Sequence, residues 1–599
     1  MIEQRLLALR EEMARTGIDA LVIPRADEYL GEYLPPHNER LHWATGFTGS
    51  AGLAIILRDR AAIFVDGRYR VQVRRQVPAE LFEYHHLLEE PHLDWLVSEL
   101  ATGSRVGCDP RLHSASWFSS ARATLAAADI TLHPCGDNLV DRCWSGRPPA
   151  KIEPALLLGL EYTGESSRDK RQRIGALVAA AGADAALIFA PDSVSWLLNI
   201  RGTDVPMMPV LQGLAVLYAD GTMTTLTEPG RVPDGFAQHV GEGVTVLSES
   251  GTESFLSGFG GCRVLVDPQG CNAWCSEVLV DGGAIVVTGE DPVVLPKAAK
   301  NSVEVEGARR AHVRDALAEV RFLAWLDREV AAGRLHDEAH LADVLFDFRA
   351  RGEHFHGGSF DTISAAGSNA AMCHYNHLDA DQPGRLEDGG VYLVDSGGQY
   401  TDGTTDITRT IAIGDPGDEV RRLYTLVLKG HIALDQARFP AGTTGTHLDA
   451  LARQFLWQEG FDYDHGTGHG VGSFLSVHES PQRIARAWNS AALVPGMIVS
   501  NEPGYYRDGA FGIRCENLQV VIEAQACAGD IPMLEFSVLT LVPFDNRLLL
   551  PELLTPQECR WLDAYHERVR TTLSPQLDGD DLAWLEQVTQ PVRAGRLAA

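Results

Sequence analysis

The stretch Gly390-Val391-Tyr392-Leu393-Val394-Asp395-Ser396-Gly397-Gly398, followed by Thr405-Asp406-Ile407-Thr408-Arg409-Thr410-Ile411, decides how this chain is read. The first run is an apolar strand that ends in a carboxylate. The second is a β-branched strand with a carboxylate near its start. Thr401-Asp402-Gly403 between them has turn chemistry, so the two runs form a hairpin. Asp395 and Asp406 then lie about equally far from the turn and can face one another. A buried carboxylate must be paired or bind a metal, and two so close repel unless a cation lies between them.

The same arrangement recurs downstream. Gly496-Met497-Ile498-Val499-Ser500-Asn501-Glu502 is a strand ending in a glutamate, and Phe511 to Val521 reads as a second strand that buries Glu516. Between the two hairpins lies Asp464-His465-Gly466-Thr467-Gly468-His469-Gly470-Val471-Gly472, with His478-Glu479 shortly after. Four carboxylates and an imidazole make a hard, oxygen-rich site able to hold two divalent cations. Two cations roughly 3.5–4 Å apart can share a hydroxide and clamp a carbonyl oxygen, which is the chemistry of metal-dependent peptide hydrolysis. A helical zinc site from His465 and His469 is excluded by the interleaved glycines and the lack of an H-E-x-x-H glutamate. A phosphate loop over Gly466–Gly472 lacks its strand–helix context and its Lys-Ser/Thr. His431 and His447 fall in helical stretches and read as core or surface residues.

Outward from this region, the chain carries an internal repeat. A helix leads into Gly17-Ile18-Asp19-Ala20-Leu21-Val22-Ile23-Pro24, and a second, from Arg171, into Gly182-Ala183-Asp184-Ala185-Ala186-Leu187-Ile188-Phe189. Each copy continues into a β-rich stretch, Ala51 to Val65 and Leu211 to Leu226. The period is that of a whole domain, so two tandem α/β domains are expected rather than a solenoid. Gly146-Arg147-Pro148-Pro149-Ala150 marks one boundary and Leu295-Pro296-Lys297 a second. Ser302 to Val330 is a long amphipathic helix with Ser302 as its expected cap. The expected domains are 1–150, 151–298 and 299–599, the last an α+β domain with a C-terminal extension.

Composition sets the remaining limits. The chain has 599 residues, 45% hydrophobic and 22% charged, with a formal charge of −30. That surface repels phosphate backbones and anionic lipid, so neither nucleic acid nor membrane is an expected partner. The N-terminus reads as an amphipathic helix rather than a signal peptide, and the most apolar tract, Ala176 to Ala190, is too short to span a bilayer. Ten scattered cysteines without a C-x-x-C pair suit a reducing cytoplasm.

Taken together, D-S-G-G-Q-Y-T-D-G-T-T-D-I-T-R-T, G-H-G-V-G-S-F-L-S-V-H-E, N-E-P-G-Y-Y and G-I-R-C-E-N resemble the aminopeptidase P family of pita-bread metallopeptidases, in its long three-domain cytosolic form. Gly46-Phe47-Thr48-Gly49-Ser50-Ala51-Gly52 and Asp66-Gly67-Arg68-Tyr69 resemble its first domain. The resemblance implies two creatinase-N-terminal-like α/β domains before a pita-bread catalytic domain, and removal of the N-terminal residue from peptides with proline second. It implies two metal ions per subunit, manganese expected, with zinc, cobalt or iron able to fit. Asp395 would ligate one metal, Asp406 and Glu516 would bridge both, and His469 and Glu502 would complete the other shell. Glu502 would be the acid/base partner. His374, His465 and His478 would orient the peptide carbonyl and assist proton transfer to the departing proline nitrogen, and Arg68 would contact substrate. A homodimer is implied as well.

A prolidase, restricted to Xaa-Pro dipeptides, shares the five ligands, but its chains usually have one leading domain. Methionine aminopeptidases lack both leading domains. Creatinase-like hydrolases and inactive pita-bread binding modules do not keep the ligands, which are all present here.

Overall fold

The structure is a computed structural model and describes residues 2–380, 382–525 and 529–592. The chain divides into two compact units, Met1–Val294 and Leu295–Ala599.

The first unit contains the repeat as two six-stranded sheets of identical order. In one copy the strands run Glu83–His86, Ala61–Val65, Leu53–Leu57, Ala20–Pro24, Arg105–Cys108, Thr131–Pro134. In the other they run Val244–Leu247, Met223–Leu226, Leu214–Tyr218, Ala185–Ile188, Arg263–Val266, Ile285–Thr288. Directions match as well: the two hairpin contacts are antiparallel and the other three parallel. Parallel neighbours need a crossover, and helices supply it. Those helices cover both faces, so Leu53–Leu57 and Ala61–Val65 are buried along their whole length. Residues of alternate parity enter two cores. Ile56 and Ile63 join Leu6, Leu9 and Met13 of the first helix, and Ile55 and Phe64 join Phe118 and Leu125.

The two copies meet through equivalent elements. Ser114 and Asn272 each cap the helix after the fifth strand, Ala115–Ala127 and Ala273–Asp281. The caps pair as an antiparallel bridge. Ala115 N–H donates to the Cys271 carbonyl (2.9 Å), and Ala273 N–H donates to the His113 carbonyl (2.8 Å). Nearby, buried Arg231 pairs with Asp204 at 3.1 Å and Glu249 at 2.6 Å, and the Tyr29 hydroxyl of the first copy donates to the same Glu249. These contacts hold both copies in one compact unit, although Gly146–Ala150 between them has no regular structure.

The first long helix of the second unit is Ser302–Ala331. Its cap is Asn301 rather than the expected Ser302. The Asn301 side chain accepts from the backbone of Val303 and Glu304, and Glu304 reaches back to the Asn301 N–H, a reciprocal capping box. The two acidic hairpins lie in different sheets. Gly390–Ser396 pairs with Ile407–Ile413 beside Ile363–Ala366. Ile498–Asn501 pairs with Asn517–Glu523 in a six-stranded sheet that also holds Gly468–Gly470 and Glu479–Ile484. Helices Asp418–Asp435 and Pro556–Leu573 bury Leu423, Val427, Leu562 and Val569 in the core behind these sheets. Among the described residues no helix is long and apolar enough to cross a membrane.

Candidate metal centre

Only Asp395 of the four carboxylates lies inside a strand. Asp406 immediately precedes Ile407–Ile413, Glu502 immediately follows Ile498–Asn501, and Glu516 falls in a break between Phe511–Arg514 and Asn517–Glu523. The uninterrupted strand expected over Phe511–Val521 is therefore two strands in two sheets. Register differs from expectation too: Asp395 stands opposite Thr408, so Asp406 is offset diagonally rather than facing it. The breaks have a cause in sequence. Arg409, 2% exposed, donates to the carbonyls of Glu516, Val542 and Pro543 and to Asn517 Oδ1, and so holds the chain open on either side of Glu516. Backbone groups released from the ladder are thereby satisfied.

Donor atoms of Asp406, His469 and Glu516 lie within 4.8 Å of one another. His469 Nε2 is 3.4 Å from Asp406 Oδ2 and 3.5 Å from Glu502 Oε1. Its Nδ1–H donates to the Gly470 carbonyl at 2.9 Å, which leaves Nε2 facing the carboxylates, the nitrogen that would offer its lone pair to a cation once its proton is displaced. Gly468 has to be glycine, because a Cβ there would stand 2.0 Å from the Ser500 carbonyl oxygen. That close approach lets the Ser500 hydroxyl accept from His469 N–H and donate to Glu502 Oε1 at 3.0 Å. The alternating glycines thus serve strand contact, and no phosphate-loop helix follows them.

The electrostatics call for cations. Burial, with Asp395 and Glu502 nearby, raises the Asp406 carboxyl above the usual range despite its bond from His469. Burial and then Asp406, Asp395 and Glu502 push Glu516 well above that range, against the opposing bond from the Thr408 hydroxyl. His469 is raised to about 9: burial opposes its charge, but the bond to Asp406 and the Glu502 carboxylate outweigh it. Asp395 Oδ1 is buried and accepts no hydrogen bond from any described residue. A clustered carboxylate set with one bare oxygen and an imidazole lone pair is a donor set that fits divalent cations.

His465 and His478 join this cluster. His465 donates through Nδ1 to the Gly466 carbonyl and accepts from Tyr506 OH at Nε2, 2.8 Å away. The ring of His478 stands edge-on to that of His469 with centroids 4.3 Å apart. His374 follows Cys373, whose carbonyl accepts from Arg514 at 3.2 Å. Arg68 belongs to the first unit, where its guanidinium pairs with Asp66 at 2.7 Å and keeps 25% side-chain exposure. His431 and His447 are structural: buried His431 exchanges hydrogen bonds with Asn501, and His447 caps its own helix at Thr444.

Reading the sequence missed the residues that hold the candidate ligands. Arg514, 2% exposed, donates to Asp395 Oδ2 at 2.5 Å, to Thr408 Oγ1 at 3.0 Å and to Tyr506 OH at 2.7 Å. Thr408 in turn donates to Glu516 Oε2 at 2.6 Å. A signal was present in spacing: Arg514 and Thr408 each stand two residues from an acid, the interval that places side chains on one face of an extended chain.

Comparison with known proteins agrees with this architecture. The sequence matches Metallopeptidase family M24 over residues 306–523 and the C-terminal region of peptidase_M24 over 532–592. Two Creatinase/Prolidase N-terminal domains match over 5–143 and 146–304. A probable Xaa-Pro aminopeptidase P of Tuber melanosporum is 38% identical over 620 residues, covering 98% of this chain and 99% of that protein. The chain belongs to the Xaa-Pro aminopeptidase P family. Aminopeptidase P1 of Lotus japonicus is 36% identical across 99% of this chain and all of its own. The crystal structure of the X-prolyl aminopeptidase from Caenorhabditis elegans, described as a cytosolic enzyme with a di-nuclear active site, superposes with a TM-score of 0.94 at 32% identity, covering 99% of this chain and 100% of that one. The family's fold is the one described above, with two creatinase-type lobes ahead of a pita-bread domain.

Proposed function

We propose that this chain is a metal-dependent exopeptidase that hydrolyses the bond between the first residue and a proline at the second position of oligopeptides. The observation that carries the reading is the carboxylate cluster, in which Asp406, Glu516 and His469 converge while Asp395 Oδ1 stays bare. Membership of the family supplies the proline preference. Asp395 is assigned to one cation, Asp406 and Glu516 to both, and His469 and Glu502 to the other. Manganese is the proposed metal, since the donor set is oxygen-rich with a single imidazole. Two such cations, when bound, supply Lewis-acid polarisation of the scissile carbonyl and acidify water.

The chain's own groups do the rest. Glu502, which accepts from the Ser500 hydroxyl, is assigned to take up a proton and return it to the leaving nitrogen. That nitrogen belongs to proline and carries no hydrogen, so the site needs a donor there rather than an acceptor. His374, His465 and His478 are assigned to orienting the peptide, and Tyr506 fixes the tautomer of His465. Arg68 is assigned to substrate contact on the family resemblance. Domains at 1–150, 151–298 and 299–599, a cytosolic location and a homodimer complete the proposal. The location is supported by the description of the nematode relative as cytosolic.

Manganese-loaded protein assayed on Arg-Pro-Pro, Xaa-Pro dipeptides and a non-proline tripeptide tests the reading. Free arginine from Arg-Pro-Pro with weak dipeptide cleavage is expected. Cleavage of dipeptides alone would make the enzyme a prolidase, and no cleavage despite bound metal would remove the function.

A further inference from the structure

Glu479 follows His478 directly and opens Glu479–Ile484, the strand paired with Gly468–Gly470 around His469. Its carboxylate is buried between two ammonium groups. Lys297 Nζ lies 3.0 Å from Oε1, and Lys300 Nζ donates to Oε2. Neither lysine side chain is more than 2% exposed. Lys300 Nζ also donates to the Lys297 carbonyl at 2.9 Å. Both lysines belong to the short segment that opens the second unit ahead of the Asn301 cap. The backbone of that segment is fixed as well. Lys300 N–H donates to the Gly496 carbonyl at 3.1 Å and Ala299 bridges Met497, just before the strand that leads to Glu502.

Burying two ammonium groups around one carboxylate is a poor way to gain stability, because each ion gives up its hydration and apolar side chains of equal volume would serve as well. Burial indeed works against the charge of Lys300 and pulls its pKa down. What such a cluster supplies is position, since Glu479 cannot shift without leaving buried charges unpaired. One peptide bond away stands His478, edge-on to His469.

We propose that Glu479, held by Lys297 and Lys300, is a positioning residue for His478, and that the opening segment of the second unit is thereby part of the machinery that aligns the peptide carbonyl. The inference rests on the reading in which His478 faces substrate. A displacement of about 1 Å at such a group can cost about a hundredfold in rate.

A double-mutant cycle on Arg-Pro-Pro hydrolysis tests it, with metal content measured for each protein. Glu479→Gln should lower kcat about ten- to a hundredfold, with two metals per chain retained and KM changed less than about twofold. Glu479→Asp should recover part of the loss. In a His478→Ala background, Glu479→Gln should have almost no further effect, because the residue it positions is gone. Lys300→Met, which leaves a neutral Lys297–Glu479 pair, should repeat the pattern and replaces Glu479→Gln if that protein does not fold. A loss that multiplies fully with His478→Ala, or a folded Glu479→Gln enzyme of normal kcat, would overturn the inference alone. A His478→Ala enzyme of normal kcat would overturn the assignment of His478 together with it.

Discussion

Replacing Arg514 by methionine removes a guanidinium of similar length and leaves Asp395 without its hydrogen-bonded cation. In the wild type that guanidinium touches Asp395, Thr408, Tyr506 and the Cys373 carbonyl. Breaking a buried ion pair from one side costs about 3–5 kcal/mol. The cost here falls on a carboxylate already crowded by Asp406 and Glu516. A unit of this size shifts in Tm by roughly 2 °C per kcal/mol. The metal-free variant should therefore unfold roughly 6–10 °C below metal-free wild type. Cations bound at the same carboxylates compensate the missing charge and stabilise by mass action, so with excess manganese the gap should close to about 3 °C or less. Thermal unfolding followed by near-ultraviolet circular dichroism, with chelator and with manganese, measures both gaps. Equal gaps under the two conditions, or none without metal, would show that Arg514 does not balance the charge of the centre.

Asp406→Ala should bring bound metal well below two per chain by elemental analysis and reduce activity at least about a thousandfold; full metal content would remove its assignment to both ions. Arg68→Ala should raise KM for longer peptides severalfold with kcat near normal, the pattern of lost uniform binding, and steady-state kinetics on a length series would detect it. Acid should destabilise the fold through His113, His431 and His566, each pushed down to about 3 by burial. These groups charge in the unfolded chain below about pH 6.5 but not in the folded one, so stability falls as pH drops from there toward 3. Each contributes about 1 kcal/mol of loss by pH 5.5, and His431→Gln should flatten the dependence of Tm on pH.

Sequence reasoning reached the fold because its signals were local. The repeat showed in matched Gly-Ile-Asp-Ala-Leu and Gly-Ala-Asp-Ala-Ala runs at the first strand of each sheet, and the acids stood out against β-branched and apolar neighbours. It placed His469 beside the carboxylates for the same reason. The strand break at Glu516 was not legible, because it is held by Arg409 reaching across more than a hundred residues to the Glu516 and Val542 carbonyls. Helix capping by Asn301 rather than Ser302 was a one-residue choice settled by Glu304 standing at the third helical position. Arg514 stands in the motif around Glu516, but its meeting with an aspartate 119 positions away is set by tertiary packing rather than by local sequence.

The reciprocal bonds around Ser114 and Asn272 are those of a two-fold dimer contained in a single chain. Such an interface would ordinarily be self-complementary and bound to keep both partners alike. Joined covalently, the partners meet at an effective concentration that needs no large apolar surface, and each is released from symmetry. The divergence is legible in one pair of residues. In the turn after the third strand, one copy carries Arg68, paired locally with Asp66 and still partly open to solvent. The corresponding turn of its twin carries Arg231, buried between Asp204 and Glu249 in the seam between the copies. Duplication has left one arginine in a local pair that is still partly open to solvent and turned the other into mortar.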